Sequence, residues 1–427
     1  MSVLERLRSE ILPKAVREKQ FGHNVVKFLE FKIDKNYAAA DQFASSIYFG
    51  DVILETEIGD RVTQSVVVKA QAGGKLADTN DLFSRNIQLH NESLFYAEIL
   101  PLLCQSDPSG TISGIFPRFF YAHIVDGNPM QDLLIFENVQ KRGYKLSPWK
   151  AFNDYAHIKL SLEWLGKFHA TSLVCKKKFS RQLKEVVSKM LESHWTEKKL
   201  AKDDAFFREN CKRGILPLQN NPNYKDRLKD LSALVERANL SMAKIVAPYE
   251  PLSLICHGDF CRNNIFYEYD ADGKPCAVIF FDMATLRYSS PAIDLSFYLF
   301  MNSSPEVRSD HWMEILQTYY TSLTSNPELD SGETPSFEDF QLDLRRRGFY
   351  GYAHASFFLP LMLTGKKLED EDWNGKDLDA LIQMSLQTGG EEATRYVTKI
   401  VQFMIDQNFE FHYINDLKVY ALNKFDV

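Results

Sequence analysis

The sequence predicts an α+β fold of two unequal lobes: a small antiparallel-sheet N-lobe and a large, mainly helical C-lobe. Three observations carry that expectation. Strand signals concentrate before residue 140, where Val52-Ile53-Leu54 and Val66-Val67-Val68 flank a Gly59-Asp60 turn. From about residue 148 the pattern turns helical and rich in Lys, Glu, Leu and aromatics. One strand-rich stretch, 254–282, interrupts that helical half. A chain of 427 residues exceeds one hydrophobic core and suggests two or three domains. The expected division is 1–139 and 140–427.

The elements follow in order. Met1 to Ala15 sets Leu4, Leu7, Ile11 and Leu12 against Glu5, Arg6, Arg8 and Glu10, the pattern of an amphipathic helix. Residues 44–70 read as a hairpin. Residues 79–103 read as a helix, with Phe83, Ile87, Leu94, Ile99 and Leu102 near helical spacing and Pro101 close to its end. A second strand pair is expected around Gly114 to Ile124 and Gln131 to Val139, divided by Asp126-Gly127-Asn128-Pro129. Ser325 to Ser336 is the clearest loop of the second half, and Phe349 to Leu363 forms an aromatic-rich helix.

Composition excludes several classes. Lys plus Arg is 50 and Asp plus Glu is 57, a net charge of −7. That leaves no basic field for a nucleic-acid backbone, so no nucleic-acid partner is expected. Apolar runs such as Phe357 to Leu363 fall short of the roughly 18 residues a spanning helix needs, so no membrane partner is expected. The N-terminus has no apolar signal core, and six cysteines in so long a chain make no disulfide framework. The expected setting is a reducing cytoplasm.

The most informative segment is Ile255-Cys256-His257-Gly258-Asp259-Phe260-Cys261-Arg262-Asn263-Asn264. A strand at Ile265 to Tyr269, a turn at Asp270 to Lys274 and a strand at Ala277 to Phe281 follow it. A hairpin returns the chain to its start, so Asn264 and Asp282 should lie side by side at the open mouth. With Asp259 five residues before Asn264, these oxygen ligands suit Mg²⁺. Phosphoryl transfer needs a carboxylate to orient the attacking hydroxyl, and Asp and Asn to hold metal on the phosphates. Asp259, Asn264 and Asp282 follow that order. The same chemistry asks for a Lys on a central strand and a Glu on the next helix. Lys69 follows Val66-Val67-Val68, and Glu92 lies on the next helical segment. Taken singly, each would read as a solvated surface charge. Leu134 to Val139 resembles the hinge where adenine bonds backbone groups between lobes, although an ordinary edge strand would look the same.

Competing motifs are weak. Gly73-Gly74-Lys75 lacks the leading Gly of a P-loop, and Cys256, His257, Cys261 and Cys276 contain no Cys-x2-Cys pair for zinc. Asp294 could brace the catalytic loop or serve a helix cap. His169 reads as a packed helix residue, and His354 as structural or as a lining of the acceptor site.

At this point the chain resembles the insect ecdysteroid kinase-like proteins, small-molecule kinases related to choline kinases and aminoglycoside phosphotransferases. The matching residues are Lys69, Asn91-Glu92-Ser93-Leu94-Phe95-Tyr96 with Leu100-Pro101, and Phe136-Glu137-Asn138-Val139. They continue through Leu165-Gly166-Lys167-Phe168-His169-Ala170, His257-Gly258-Asp259-Phe260, Asn263-Asn264, Asp282 and Ser290-Pro291-Ala292-Ile293-Asp294-Leu295. The resemblance implies a bilobal protein-kinase-like fold and ATP-dependent phosphorylation of a small-molecule hydroxyl. It implies Asp259 as catalytic base, Asn264 and Asp282 as metal ligands, and Lys69, held by Glu92, as the phosphate contact. Glu137 and Val139 would meet the base. The nucleotide loop is not glycine-rich, so Gln42-Phe43-Ala44-Ser45-Ser46-Ile47 would have to serve, through Ser45, Ser46 and backbone N–H groups. ATP and Mg²⁺ are the implied cofactors, and the expected acceptor is a hydroxylated small molecule, a steroid such as an ecdysteroid, bound by a monomer. The alternatives are a kinase of xenobiotic hydroxyls, a choline- or ethanolamine-type kinase, and a catalytically silent protein that binds nucleotide or sterol. Cys261 stands where the family usually has Trp, and Asp282-Met283-Ala284 replaces Asp-Phe-Gln. Neither departure removes a ligand.

Overall fold

The computed structural model describes residues 2–35, 45–71, 85–125, 127–195, 205–365 and 377–412. Strands β1 (Val25–Ile33), β2 (Ser45–Thr56), β3 (Arg61–Gln71), β4 (Phe119–His123) and β5 (Leu133–Glu137) form one antiparallel sheet in the order β1-β2-β3-β5-β4. The β2–β3 hairpin turns where Gly59 and Asp60 predict it. Gly59 takes φ +84° and donates its N–H to the Thr56 carbonyl.

Strand alternation gives this sheet two different faces. Val66, Val68 and Ala70 of β3 and Leu133 and Ile135 of β5 form an outer core with Leu7, Ile11, Leu12 and Val16. Those four residues come from the N-terminal helix, which runs past its expected end at Ala15 as α1 (Val3–Arg6), a π-helical turn (Leu7–Ile11) and α2 (Leu12–Arg17). Ser2 and Glu5 close a capping box at its start. The alternate residues, Val67 and Lys69 of β3 and Phe136 of β5, face an inner cleft.

The next helix is α3 (Arg85–Leu94), a π-turn (Phe95–Ile99) and α4 (Leu100–Gln105). Residues 79–84 of the expected helix lie outside the described residues. Pro101 follows the π-turn, in which the Leu100 N–H reaches back to the Phe95 carbonyl. Leu89, Phe95, Ile99 and Leu103 join a larger inner core with Ile158, Leu162, Leu165 and Phe168 of α5 (Tyr155–Lys178). The cleft helix is therefore anchored to the helical half while the sheet beside it has its own core. Gly166 lets α5 approach the helix Pro305–Thr324, because a Cβ there would lie 2.7 Å from the Tyr319 carbonyl oxygen.

Among the helices of the second half sit short strands. β6 (Lys145–Leu146), β8 (Ile265–Tyr269) and β9 (Pro275–Phe280) make a three-stranded sheet, and β7 (Leu254–Cys256) pairs with β10 (Arg287–Ser289). The fold is thus the bilobal α+β arrangement that the sequence predicts. Three details differ. β1 has no counterpart in the sequence reading. Ile112–Ile115 is a 3₁₀ turn, so β4 starts only at Phe119. β5 is an interior strand between β3 and β4, not an edge. No helix among the described residues is long and apolar enough to cross a membrane.

Candidate active site

The loop after β7 is held by buried groups from three directions. Gly258 adopts φ +83°, and a Cβ there would stand 1.9 Å from the Thr285 carbonyl oxygen. Glycine is the side chain that this packing admits. Asp294, fully buried in the first turn of the helix Ala292–Asn302, accepts the His257 N–H at 2.7 Å and the Gly258 N–H at 2.8 Å. Its role is therefore to brace the loop, not to cap its own helix. His169 of α5 is also fully buried, with Nε2 3.2 Å from Asp294 and Nδ1 2.7 Å from the Tyr319 hydroxyl. From the third side, the Tyr350 hydroxyl donates to the Gly258 carbonyl at 2.7 Å. Arg287 donates to the Tyr350 oxygen at 3.2 Å and forms a buried ion pair with Glu192 at 2.8 Å.

His257 completes the loop internally. Its Nε2 lies 3.0 Å from the Phe281 carbonyl, which only accepts, so the ring carries its proton on Nε2. Nδ1 then faces the Asp259 N–H at 3.4 Å. Burial lowers the pKa of this imidazole.

Asp259 follows, half-buried. The 3₁₀ turn Arg262–Asn264 brings Asn264 back, and its Nδ2 donates to the Asp259 carbonyl at 2.9 Å and to its Oδ2 at 3.0 Å. Burial, helped by the Asp282 charge, pushes the Asp259 carboxyl up to about 7 against the pull of Asn264.

The β8–β9 hairpin closes as its turn chemistry predicts. Asp270 Oδ1 accepts the N–H groups of Asp272 and Lys274, both at 2.9 Å. At the mouth, the Phe281 N–H donates to the Asn264 carbonyl at 3.1 Å, which sets Asp282 beside the Asp259–Asn264 loop. Asp282 takes φ +66°, ψ +59°, a left-handed conformation that Asp tolerates better than most residues. This turns the chain off the strand and into the cleft.

There Lys69 meets two carboxylates at once. Its Nζ lies 2.6 Å from Glu92 Oε2 and 2.6 Å from Asp282 Oδ1. β3 supplies the lysine, α3 the glutamate and the end of the β8–β9 hairpin the aspartate. Burial works against the ammonium, but the Asp282 and Glu92 charges outweigh it and hold its pKa above the ordinary value. Burial pushes Glu92 up to about 7 even with Lys69 beside it.

These side chains stand on an open cleft that, with the solvent space at its mouth, holds about 600 Å³. Ile47, Phe49, Val67, Phe136, Phe266 and Ile279 give it apolar walls, and Lys69, Glu92 and Asp282 form its charged end. Glu137 and Val139 line it too. The Glu137 carboxylate accepts the Arg118 N–H at 3.4 Å and pairs with Arg142 at 3.4 Å.

Of the expected site residues, Asp259 and Asn264 are not in the lining of this cleft, and neither are Ser45 and Ser46. The two serines also differ in local structure. They are not loop residues: they open β2, paired with Gln71 and Ala70, and the cleft lining begins at Ile47. The ladder claims their backbone, and residues 42–44 lie outside the described residues. Sequence reasoning also missed the Glu192–Arg287–Tyr350 chain, whose members are 95 and 63 residues apart. One cluster of metal-ligand type, His169 with Cys256 and Asp294, occurs among the described residues. Loop amides and Tyr319 already occupy its His and Asp.

A bilobal α+β fold with a Lys–Glu pair across its cleft and an Asp–Asn loop facing a second Asp defines a small-molecule-kinase-like protein. Residues 39–329 match the ecdysteroid kinase-like family, and the chain belongs to that family. The chain is also similar to solved structures of low identity. A microcompartment-associated aminopropanol kinase shares 10% identity over 94% of this chain and 99% of its own, with a TM-score of 0.42. A putative aminoglycoside phosphotransferase from Ralstonia eutropha shares 11% over 93% and 98%, at 0.42. The ethanolamine kinase of Plasmodium vivax shares 12% over 91% and 87%, at 0.39. No curated protein sequence matches the chain at a significant level.

Proposed function

We propose that the protein is an ATP- and Mg²⁺-dependent phosphotransferase acting on a hydroxyl of a largely apolar, polyhydroxylated molecule, a steroid such as an ecdysteroid. The observation that carries this reading is the double contact of Lys69 with Glu92 and Asp282, set beside the Asp259–Asn264 pair. On this reading residues 1–139 hold the nucleotide and 140–427 supply the catalytic loop and the acceptor site. The apolar walls sandwich the base, and the backbone around Glu137 to Val139 bonds its edge. Lys69, aimed by Glu92, holds phosphate oxygens.

The donor set fits a magnesium ion. Asn264 spends Nδ2 on Asp259, which leaves its Oδ1, and Asp282 has Oδ2 beyond the oxygen facing Lys69. Both are hard oxygen ligands, as Mg²⁺ prefers. These two residues would hold the ion, which when bound neutralises charge on the phosphates. Asp259 orients the acceptor hydroxyl and takes its proton. A carboxylate raised to about 7 is a base matched to neutral pH.

The acceptor class rests on the aromatic surround of His354. The rings of Tyr350, Phe297, Phe207, Phe358 and Trp195 have centroids 4.3, 4.9, 6.2, 6.3 and 6.4 Å from the imidazole. Tyr350 ties this cluster to the catalytic loop through Gly258. His354 Nδ1 lies 2.8 Å from the Tyr350 carbonyl and must donate to it, so Nε2 is an acceptor. Burial lowers this imidazole to about 4 and keeps it neutral. A neutral acceptor among aromatic walls suits a hydroxyl on an apolar nucleus. A quaternary ammonium favours carboxylate help, and Glu192 is already neutralised by Arg287.

An ATP-consumption screen across polyhydroxylated steroids, amino alcohols and phenolic glucosides tests the proposal. Turnover on steroid, with choline inert, is the expected result. Robust turnover on choline that saturating steroid leaves untouched contradicts it.

A further inference from the structure

We propose that the Tyr96 hydroxyl is a nucleotide-binding group, which donates a hydrogen bond to the nucleotide in the cleft. The inference rests on the reading of the cleft as a nucleotide site, and nothing in the catalytic scheme above uses Tyr96.

Tyr96 is 4% exposed, and its hydroxyl is buried without a hydrogen-bond partner among the described residues. Buried hydroxyls are nearly always paired, and an unpaired one costs stability that phenylalanine would not. The ring itself is well fixed. It stacks on Phe119 at 5.5 Å and 21°, and meets Phe136 edge-on at 4.9 Å. The polar end is therefore the feature without a structural purpose.

Its position supplies one. Tyr96 lines the cleft together with Lys69, Glu92, Phe136 and Asp282. It sits four residues after Glu92, inside the π-turn Phe95–Ile99 that separates α3 from α4. Such turns inside helices are frequent at functional sites because they re-aim side chains. Burial, with the Glu92 and Asp282 charges, raises the phenol pKa, so the group stays an O–H donor at neutral pH. A nucleotide brings acceptor atoms along its whole length, in base, ribose and phosphates. The residues proposed above to meet the acceptor, those around His354, are not in the lining of this cleft.

The test uses the full chain, as wild type and as Tyr96→Phe, in two measurements. Calorimetric titration with Mg²⁺·ATP is expected to show binding roughly twofold to twelvefold weaker in the variant, the loss of one hydrogen bond. Thermal unfolding without nucleotide is expected to show an unchanged or higher Tm, because the orphaned hydroxyl is gone. A purely structural tyrosine predicts the reverse: a lower Tm with unchanged affinity. Equal affinities in the two proteins overturn the assignment of Tyr96. A wild type that does not bind Mg²⁺·ATP overturns the nucleotide reading, and this inference with it.

Discussion

Replacing Asp294 with asparagine is expected to loosen the loop after β7 while leaving the surrounding core filled. The carboxylate accepts two loop amides, His257 N–H at 2.7 Å and Gly258 N–H at 2.8 Å, with no solvent access. Hydrogen bonds to a charged group contribute about 1.5–3 kcal/mol each, and neutral ones about 0.5–1.5. An asparagine offers one oxygen, so one amide keeps a weaker, neutral bond. The other faces an NH₂ group and is left unpaired. The net loss is about 3 kcal/mol, which corresponds to roughly a hundredfold rise in local opening. Hydrogen exchange, followed by mass spectrometry in a peptide covering 254–264, reads that opening directly. The amides of 257 and 258 should exchange about a hundredfold faster in Asp294→Asn. Affinity for Mg²⁺·ATP should change less than about threefold, because Asp294 does not line the cleft. Unchanged exchange at 257 and 258 in a folded variant refutes the brace.

Two further outcomes follow from the same loop. Gly258→Ala places a Cβ 1.9 Å from the Thr285 carbonyl at φ +83°, which adds a clash to about 1–2 kcal/mol of backbone strain. Its Tm should fall by more than about 5 °C, and a Tm within about 2 °C of wild type contradicts the packing described. Glu192 lies buried against Arg287, whose guanidinium overrides the effect of burial and holds the carboxyl down to about 2, from 4.5. A pKa lowered by folding stabilises above the unfolded value and loses that stabilisation as pH falls toward the folded one. Glu192→Gln should therefore lower the stability at pH 7 by about 3–5 kcal/mol, typical of breaking a buried pair, and the Tm with it. It should also flatten the acid decline in Tm between about pH 4.5 and 2, the window set by those two values. Parallel Tm–pH curves for the two proteins refute the assignment.

The parts legible in the sequence are those whose signal is local. Gly59-Asp60 between two valine-rich runs, and Asp270 to Lys274 between two apolar strands, encode hairpins within a dozen residues. The second of these was enough to bring Asn264 and Asp282 to one mouth. The meeting of Lys69 and Glu92 was reached by pattern, a lysine on a strand and a glutamate on the next helix. β1 was illegible because its strand period is broken. Register shifts fall between Val25 and Lys27 and between Phe28 and Glu30, so polar and apolar residues do not alternate. An anion-binding turn at Ser45 and Ser46 is what the chemistry asks for, yet pairing with β3 extends β2 to Ser45. The Glu192–Arg287 pair and the orphaned Tyr96 hydroxyl left no sequence signal, since each depends on contacts between distant segments.

The central claim is that Asp259 receives the acceptor proton while other residues hold the nucleotide. Phosphoryl transfer from labelled ATP to a polyhydroxylated steroid, measured for wild type and Asp259→Asn alongside calorimetric Mg²⁺·ATP affinity, tests it most directly. A positioned general base is worth about 10²–10⁴ in rate. The account predicts a loss of that size in the variant, with nucleotide affinity kept within about threefold. Transfer by Asp259→Asn at the wild-type rate would contradict it.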